Sequence, residues 1–175
     1  MKARVWLFGF GMLLALSVAV IALEACGGAQ SAKFTVAQKS GELPAGQTWE
    51  GVYYNPVYGY LHVVGKEGNL VGRWKRTDSS HWGELNGTAD GNVFRFTWTE
   101  HKIGAVGPSA DAHGTGVFVY KVGENSIGEL DGQYAVQDSD AVGDWHCIKQ
   151  LNVKPDLNSI NGDNPAAAAP PDQWQ

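Results

Sequence analysis

Cysteine is scarce in this chain. Its 175 residues include two cysteines, Cys26 and Cys147, and only Cys147 lies in the part that we expect to fold. A disulfide within the folded part is therefore excluded, and an apolar core has to supply the stability. We expect Cys147 to be a small buried side chain, because a reactive thiol needs cationic neighbours and only His146 and Lys149 are near it in sequence.

Clustered positive charge is also missing. The chain has 13 Lys and Arg against 18 Asp and Glu, and its formal net charge is -5. Proteins that bind phosphate backbones carry grouped cations. We therefore expect no nucleic-acid partner.

A long apolar pattern of helical period is absent from the folded part, whereas glycine is abundant, with 23 residues in the whole chain. Short alternating runs separated by turn residues predict strands instead. Eight candidate strands follow one another, at 48–54, 59–65, 70–76, 81–89, 93–100, 112–120, 126–136 and 144–150.

Several connections between these strands contain residues that tolerate a positive φ. They are Lys66-Glu67-Gly68-Asn69, Asp90-Gly91-Asn92 and Gly123-Glu124-Asn125. Such tight turns join antiparallel neighbours. The predicted fold is all-β, a single antiparallel up-and-down β-barrel of about eight strands, because closure removes exposed sheet edges.

Alternation within the fifth strand predicts the buried face of the barrel. Phe94, Phe96 and Trp98 share one side of that strand, and polar residues alternate with them. Such rings either fill a small barrel or line one small cavity in it. For a cavity, the parity predicts six ligand-binding side chains, namely Trp49, Tyr53, Trp74, Trp98, Phe118 and Trp145.

The first 25 residues predict an export signal, with Lys2 and Arg4 ahead of an apolar run over 5–23. Next comes Leu23-Glu24-Ala25-Cys26, which resembles the bacterial lipobox, although Glu24 stands where a small or hydroxylated residue is usual. The resemblance implies cleavage before Cys26 and a diacylglyceryl thioether on that cysteine. A plain secretory signal and a retained apolar anchor are the alternatives.

A lipidated Cys26 would hold the protein in the cell envelope through membrane lipid. Gly27 is not the aspartate that the lipoprotein family associates with inner-membrane retention, which favours the outer membrane, facing the periplasm or the cell surface. We divide the chain into a signal peptide (1–25), a flexible tether (26–46), the barrel (47–162) and a disordered tail rich in Pro and Ala (163–175).

Two short stretches carry a second resemblance. Trp49-Glu50-Gly51-Val52-Tyr53-Tyr54 and Gly68-Asn69-Leu70-Val71-Gly72-Arg73-Trp74 are similar to the opening of avidin-like and lipocalin-like barrels, where a Gly-x-Trp or Trp-x-Gly element begins the first strand. The resemblance spans about 48–150 and implies a ligand-binding barrel. The polar biotin contacts of the avidin family have no residue-by-residue match here, so biotin binding is not carried over.

Few groups of side chains suggest reaction chemistry. Asp111/His113 and Asp144/His146 could each face one side of a strand and seat a metal with His101 or Glu100, but they equally suit solvated rim residues. We expect no metal and no cofactor.

Catalytic patterns are similarly weak. Neither Ser79-Ser80-His81 nor Ser109 lies in a nucleophile motif. Glu84, Glu100 and Glu129 could meet inside a barrel as paired acids, but nothing in the sequence brings them together. We therefore predict a binding protein and not an enzyme.

Two segments predict the rim of the barrel. The stretch 101–116, rich in Gly, Ala, Pro and Ser, is longer than a hairpin needs and favours a recognition loop, and Asn55-Pro56-Val57-Tyr58 could lie beside it. Three functions remain open: a barrel for a small hydrophobic or aromatic ligand, a protein-binding barrel similar to periplasmic inhibitors of lysozymes and proteases, and a structural component of an envelope assembly.

Overall fold

The structure is a computed structural model that describes residues 34, 39–107, 110–139 and 141–162. The predicted signal peptide, Cys26 and the predicted tail lie outside the described residues. The strands are β1 (Gly51–Asn55), β2 (Gly59–Lys66), β3 (Asn69–Lys75), β4 (His81–Asp90), β5 (Val93–Lys102), β6 (Asp111–Val122), β7 (Gly128–Val136) and β8 (Val142–Gln150), followed by a 3-10 helix, Leu157–Ser159.

The eight strands form a closed antiparallel barrel in chain order. Each strand pairs with the next, and β8 closes on β1 with Val52 opposite Gln150 and Tyr54 opposite Ile148. Every predicted strand corresponds to an observed one. The predicted all-β, up-and-down barrel is therefore confirmed.

Two of the three predicted tight turns have positive φ angles at the predicted residues, and in the third, at 123–125, the positive φ falls on the next residue, Ser126. Glu67 and Gly68, between β2 and β3, have φ of 55° and 81°, and Gly91, between β4 and β5, has φ of 54°. Two successive positive φ angles make the type of turn whose twist suits a hairpin. Local turn chemistry thus sets the antiparallel order.

The inward face of the barrel is the predicted one. Phe94, Phe96 and Trp98 are 1%, 4% and 6% exposed, and the arginine and threonine residues between them face outward. The main core is a cluster of aromatic and aliphatic side chains from all eight strands, including Trp49, Tyr53, Trp74, Phe94, Phe96, Trp98, Phe118, Tyr120, Trp145 and Cys147.

Glycine makes room for these rings. Six inward aromatic residues each lie opposite a glycine on a neighbouring strand: Trp74 and Gly83, Phe96 and Gly116, Trp98 and Gly114, Phe118 and Gly132, Trp145 and the same Gly132, and Tyr134 and Gly143. A Cβ at Gly83 would lie 2.3 Å from Trp74 Cζ2, well inside contact distance. Alternating small and large residues therefore fit a wide aromatic core into a narrow barrel.

This pairing corrects the interpretation of the stretch 101–116 as one long loop. β5 continues to Lys102 and β6 begins at Asp111, so that only residues 103–110 connect the two strands. Gly114 and Gly116 belong to β6, in agreement with the predicted strand 112–120, and their small size accommodates Trp98 and Phe96. The connection is therefore shorter than the composition of 101–116 suggested, because part of its glycine serves packing within a strand.

One end of the barrel is closed by residues 40–49, which precede β1. The N–H of Gly41 donates to Asn92 Oδ1 at 2.7 Å, the N–H of Asn92 donates to the Gly41 carbonyl oxygen at 3.0 Å, and Trp49 Nε1 donates to the Gly91 carbonyl oxygen at 3.0 Å. Residues 40–46, assigned to a tether from the sequence, are thus in contact with the barrel.

The interior beside this closed end is filled. Lys149 Nζ donates to the Thr48 carbonyl oxygen at 2.5 Å and lies 5.6 Å and 5.7 Å from the ring centres of Tyr53 and Tyr120. Burial lowers the pKa of Lys149. Tyr53 and Tyr120 are almost fully buried, so this half of the barrel has a packed core.

After β8 the chain crosses the outer face of β2 and β3. The N–H of Asp156 donates to His62 Nδ1 at 3.0 Å, and Lys75 Nζ donates to the Asn161 carbonyl oxygen at 3.3 Å. Ile160, which belongs to this segment, is fully buried. Residues 153–162 therefore pack as part of the barrel domain.

Candidate functional site

A pocket of about 180 Å³ lies at the opposite, open end of the barrel. The connections β1–β2, β3–β4, β5–β6 and β7–β8 all lie at this end. The residues around the pocket come from five strands (β3, β5, β6, β7 and β8), from the end of β3 and from the β1–β2 connection: Tyr58, Trp74, Arg76, Trp98, Glu100, Ala112, Tyr134, Val136 and Trp145.

Strand parity places these side chains. Trp98 and Glu100 are two residues apart in β5, and Trp74 and Arg76 are two apart at the end of β3. Side chains at i and i+2 share one face of a strand, so both pairs face the interior. In both strands, the tryptophan lies deeper in the barrel and the charged residue lies nearer the rim.

The walls of the pocket are five aromatic rings. Trp145 is central: its ring centre lies 4.8 Å from that of Tyr58 and 5.1 Å from that of Trp74. Tyr134 packs edge-on against Trp98 at 5.8 Å and against Tyr58 at 5.9 Å. These edge-on and tilted contacts, which aromatic pairs prefer, hold the rings in fixed orientations around the pocket.

A charged pair forms the polar side of the pocket. Arg76 Nε donates to Glu100 Oε1 at 2.8 Å, and Arg76 Nη2 donates to Glu100 Oε2 at 2.7 Å. Trp74 Nε1 also donates to Glu100 Oε1, at 3.3 Å. Trp74 can reach across β4 to Glu100 because Gly83, which lies between them in the sheet, has no side chain.

Burial makes this pair strong. The Glu100 side chain is 9% exposed and that of Arg76 is 30% exposed. The hydrogen bonds to Glu100 raise the pKa of Arg76 above its usual value, against the opposing effect of burial. A bidentate arrangement of this kind fixes both groups, so the pocket has one rigid, charge-neutral polar edge.

Two tyrosines complete the rim. Tyr58 Oη donates to Tyr134 Oη at 2.9 Å, and the Arg76 guanidinium lies 5.5 Å from the Tyr58 ring centre. Burial raises the pKa of Tyr58, the hydrogen bond with Tyr134 raises it further, and the positive charge of Arg76 lowers it in part. The Tyr58 phenol is therefore uncharged at neutral pH.

The inner wall of the pocket is the ring of Trp145. Its indole N–H is buried and has no hydrogen-bond partner among the described residues. The described contacts of Trp145 are made by its ring, which packs against Tyr58 and Trp74.

The pocket volume limits the size of a ligand. An engineered protein cavity of about 150 Å³ holds benzene, whereas drug-sized ligands occupy about 300–1,000 Å³. At about 180 Å³, this pocket accommodates a compound of one ring or two small fused rings. A lipid or a large polyketide would not fit within it.

The six ligand-binding candidates from the sequence fall into two groups. Trp74, Trp98 and Trp145 line the pocket. Trp49, Tyr53 and Phe118 are equally buried but lie in the packed part of the core and do not line it. The sequence also predicted Tyr58 at the rim of the barrel, and in the structure it lies at the rim of the pocket.

Sequence reasoning missed Arg76, Glu100 and Tyr134 as parts of one site. The two charged residues each follow an inward tryptophan by two positions, at 74 and 98. This spacing already predicts that they face inward. The distance between them, however, depends on the register of β3, β4 and β5.

The candidate metal residues are dispersed. His101 Nδ1 lies 2.9 Å from Asp111 Oδ1 on the outer face of the barrel, whereas the adjacent Glu100 faces the interior. Within the described residues, no group of three or more His, Cys, Asp or Glu could hold a metal ion. Asp144 instead accepts a hydrogen bond from Gln133 Nε2 at 2.9 Å.

The suggested paired acids do not meet. Glu84 and Glu129 alternate with the buried Leu85 and Leu130 and so face outward, whereas Glu100 faces inward. Glu84 forms an ion pair with Arg73 at 3.4 Å. The hypothesis of a carboxylate pair inside the barrel is wrong, because strand parity separates its members.

The serine and cysteine candidates have structural surroundings. Ser80 Oγ lies 2.7 Å from His81 Nδ1 and donates to Asp78 Oδ1 at 2.6 Å, within the turn after β3. Ser109 lies outside the described residues. Cys147 is fully buried and its pKa is raised by that burial, which confirms it as a packing residue of the core.

Comparison with known proteins finds no similar protein. No protein-family profile matches the sequence, and searches of curated proteins and of solved structures give no significant match. Within the described ranges, no helix has the length and apolar character that a membrane crossing requires. The class that the fold defines is a small closed β-barrel, with a candidate ligand site at its open end.

Proposed function

We propose that this chain is a membrane-anchored bacterial lipoprotein whose β-barrel binds a small planar aromatic ligand. The observation that carries the binding proposal is the pocket of about 180 Å³ walled by five aromatic rings. Flat ring faces and a single polar edge suit a flat compound whose polar group points to Arg76 and Glu100. Binding, and not catalysis, is the proposed activity.

The course of the chain before β1 agrees with this role. Phe34 packs on the outer wall against Val93, Val117 and Val119, near the turn between β4 and β5, and residues 40–49 then cross the closed end. Phe34 and residues 40–49 therefore both lie at the end opposite the pocket.

Lipidation supplies the first test of the proposal. In a bacterial host, Cys26→Ser should move the protein from the membrane to the soluble fraction or leave an uncleaved precursor, because the thioether can no longer form. Membrane fractionation with detergent phase partitioning measures this, and Cys147→Ser is the matched control that leaves the anchor intact. Normal processing and unchanged partitioning of the Cys26 variant would refute lipidation.

Ligand binding is tested by tryptophan fluorescence. A soluble form that begins at residue 27 would be titrated with indole, phenol and naphthalene, and saturable quenching or a blue shift is expected, because three tryptophans line the pocket. Ala112→Phe should abolish the response by filling the pocket. Ala141→Phe, the same change at an exposed position between β7 and β8, should leave it unchanged.

A protein partner is the second candidate function. The connection 103–110 lies at the same open end as the pocket, and Val106 within it is fully exposed. An apolar side chain presented by a loop on a rigid barrel suits contact with another protein. If no compound in the titration changes the fluorescence, this connection is the surface to test, beginning with Val106→Asp.

A further inference from the structure

We infer that the pocket selects uncharged aromatic compounds that carry a carboxamide or lactam group over charged compounds of the same shape, and that the Arg76–Glu100 pair sets this selectivity. The inference rests on the proposed function, because it concerns the ligand of the same site. It is carried by the paired charges in the pocket wall and by the hydrogen-bonding capacity that they retain.

The paired charges in the pocket wall disfavour a charged ligand. Among the described residues that line the pocket, Arg76 and Glu100 are the only Arg, Lys, Asp or Glu, and they neutralise each other through two hydrogen bonds. An ion that enters such a pocket loses its hydration and gains no unpaired counter-charge. A neutral ligand of equal shape avoids that loss.

Aromatic walls alone would favour a cation, as aromatic cages do for quaternary ammonium groups. Here a cation is already in place, because the Arg76 guanidinium lies 5.5 Å from the Tyr58 ring centre. This guanidinium already lies over that ring, so a ligand cation cannot occupy the same face. Arg76 thus takes up one aromatic face that could bind a cation, and it also takes up the negative charge of Glu100.

The Arg76–Glu100 pair also retains hydrogen-bonding capacity. A guanidinium has five N–H groups, and Arg76 uses two of them on Glu100. A carboxylate has about four acceptor sites, and Glu100 uses three of them, on two Arg76 donors and on Trp74 Nε1. The pair therefore offers both a donor and an acceptor, which the C=O and N–H of an amide complement without carrying a charge.

The test is a series of nearly isosteric compounds: benzamide, benzoate and benzamidine, with toluene as the apolar reference. We expect the protein to bind benzamide at least about tenfold more tightly than either ion, measured by calorimetry or tryptophan fluorescence near neutral pH. Equal affinities, or tighter binding of an ion, would overturn the inference. The comparison uses the unchanged chain and so does not depend on how any variant folds.

Two variants then identify the cause. Arg76→Gln leaves the negative charge of Glu100 and should shift the preference toward benzamidine, whereas Glu100→Gln leaves the positive charge of Arg76 and should shift it toward benzoate. Opposite shifts cannot result from a general loss of structure. Arg73→Gln and Glu84→Gln make the same charge changes in an ion pair on the outer face and should leave the preference unchanged.

The outcomes separate the two proposals. If neither the series nor toluene and indole bind, the proposed function fails. If they bind without regard to charge, or if the two variants shift in the same direction, the ligand function stands and the inference about Arg76 and Glu100 is wrong.

Discussion

Trp98→Ala is expected to lower the free energy of unfolding by about 3–5 kcal/mol, the range found when a large aromatic side chain is removed from a core. Trp98 is almost fully buried, packs edge-on against Tyr134, and donates from Nε1 to the Thr115 carbonyl oxygen at 3.1 Å. The substitution leaves a cavity above Gly114 and an acceptor without its donor. Chemical denaturation followed by circular dichroism measures the loss.

Trp82→Ala is the matched control for this prediction. Trp82 faces outward from β4 and stacks on His101, with ring centres 4.5 Å apart. Its removal creates no internal cavity, so the expected change is about 1 kcal/mol or less. An equal effect of the two substitutions, or no measurable effect of Trp98→Ala, would contradict the assignment of Trp98 to the core.

Arg76→Met is expected to cost up to about 3 kcal/mol, at the lower end of the range for breaking a buried ion pair because Arg76 is 30% exposed. The variant removes two hydrogen bonds from Glu100 and leaves a carboxylate, whose side chain is 9% exposed, without its counter-charge. Thermal and chemical denaturation of the variant and the parent protein measure the difference.

The double variant Arg76→Met with Glu100→Met distinguishes the pair from its parts. Removing both charges also removes the uncompensated carboxylate, so we expect it to recover much of the lost stability. Arg73→Met breaks the exposed pair with Glu84 and should cost about 1 kcal/mol or less. If Arg76→Met costs no more than Arg73→Met, the Arg76–Glu100 pair does not stabilise the open end.

Much of the barrel could be predicted from local sequence. The alternation of Phe94, Phe96 and Trp98 with polar residues defines both a strand and its buried face, and a strand needs no distant partner to show that pattern. The turn at Glu67 and Gly68 similarly indicates a hairpin through the residues themselves. Repeated hairpins form one sheet with two exposed edges, and closing that sheet into a barrel removes both edges.

The candidate site could be predicted only in part. Trp74, Trp98 and Trp145 were expected inside the barrel, but parity does not distinguish them from Trp49 or Phe118. Whether a ring lines a pocket or fills the core depends on its height along the barrel. That height follows from the register and from which end the chain closes.

The segments that flank the barrel show the same limit. Residues 40–46 and 153–162 have little apolar periodicity, yet the first closes one end of the barrel and the second covers the outer face of β2 and β3. Their contacts are mostly hydrogen bonds between their own backbone groups and barrel side chains such as Asn92, His62 and Lys75. Such contacts leave no pattern in the sequence, since every residue type has a backbone.

The sequence by itself determined the strands, their buried faces and the order in which they pair, because alternation and turn chemistry act between neighbouring residues. Only the tertiary structure decided that glycines lie opposite the large rings, that Arg76 meets Glu100 over Gly83, and that the pocket lies at one end. Those features depend on cross-strand register and on the closing segment. Both are set by the packing of residues far apart in the chain.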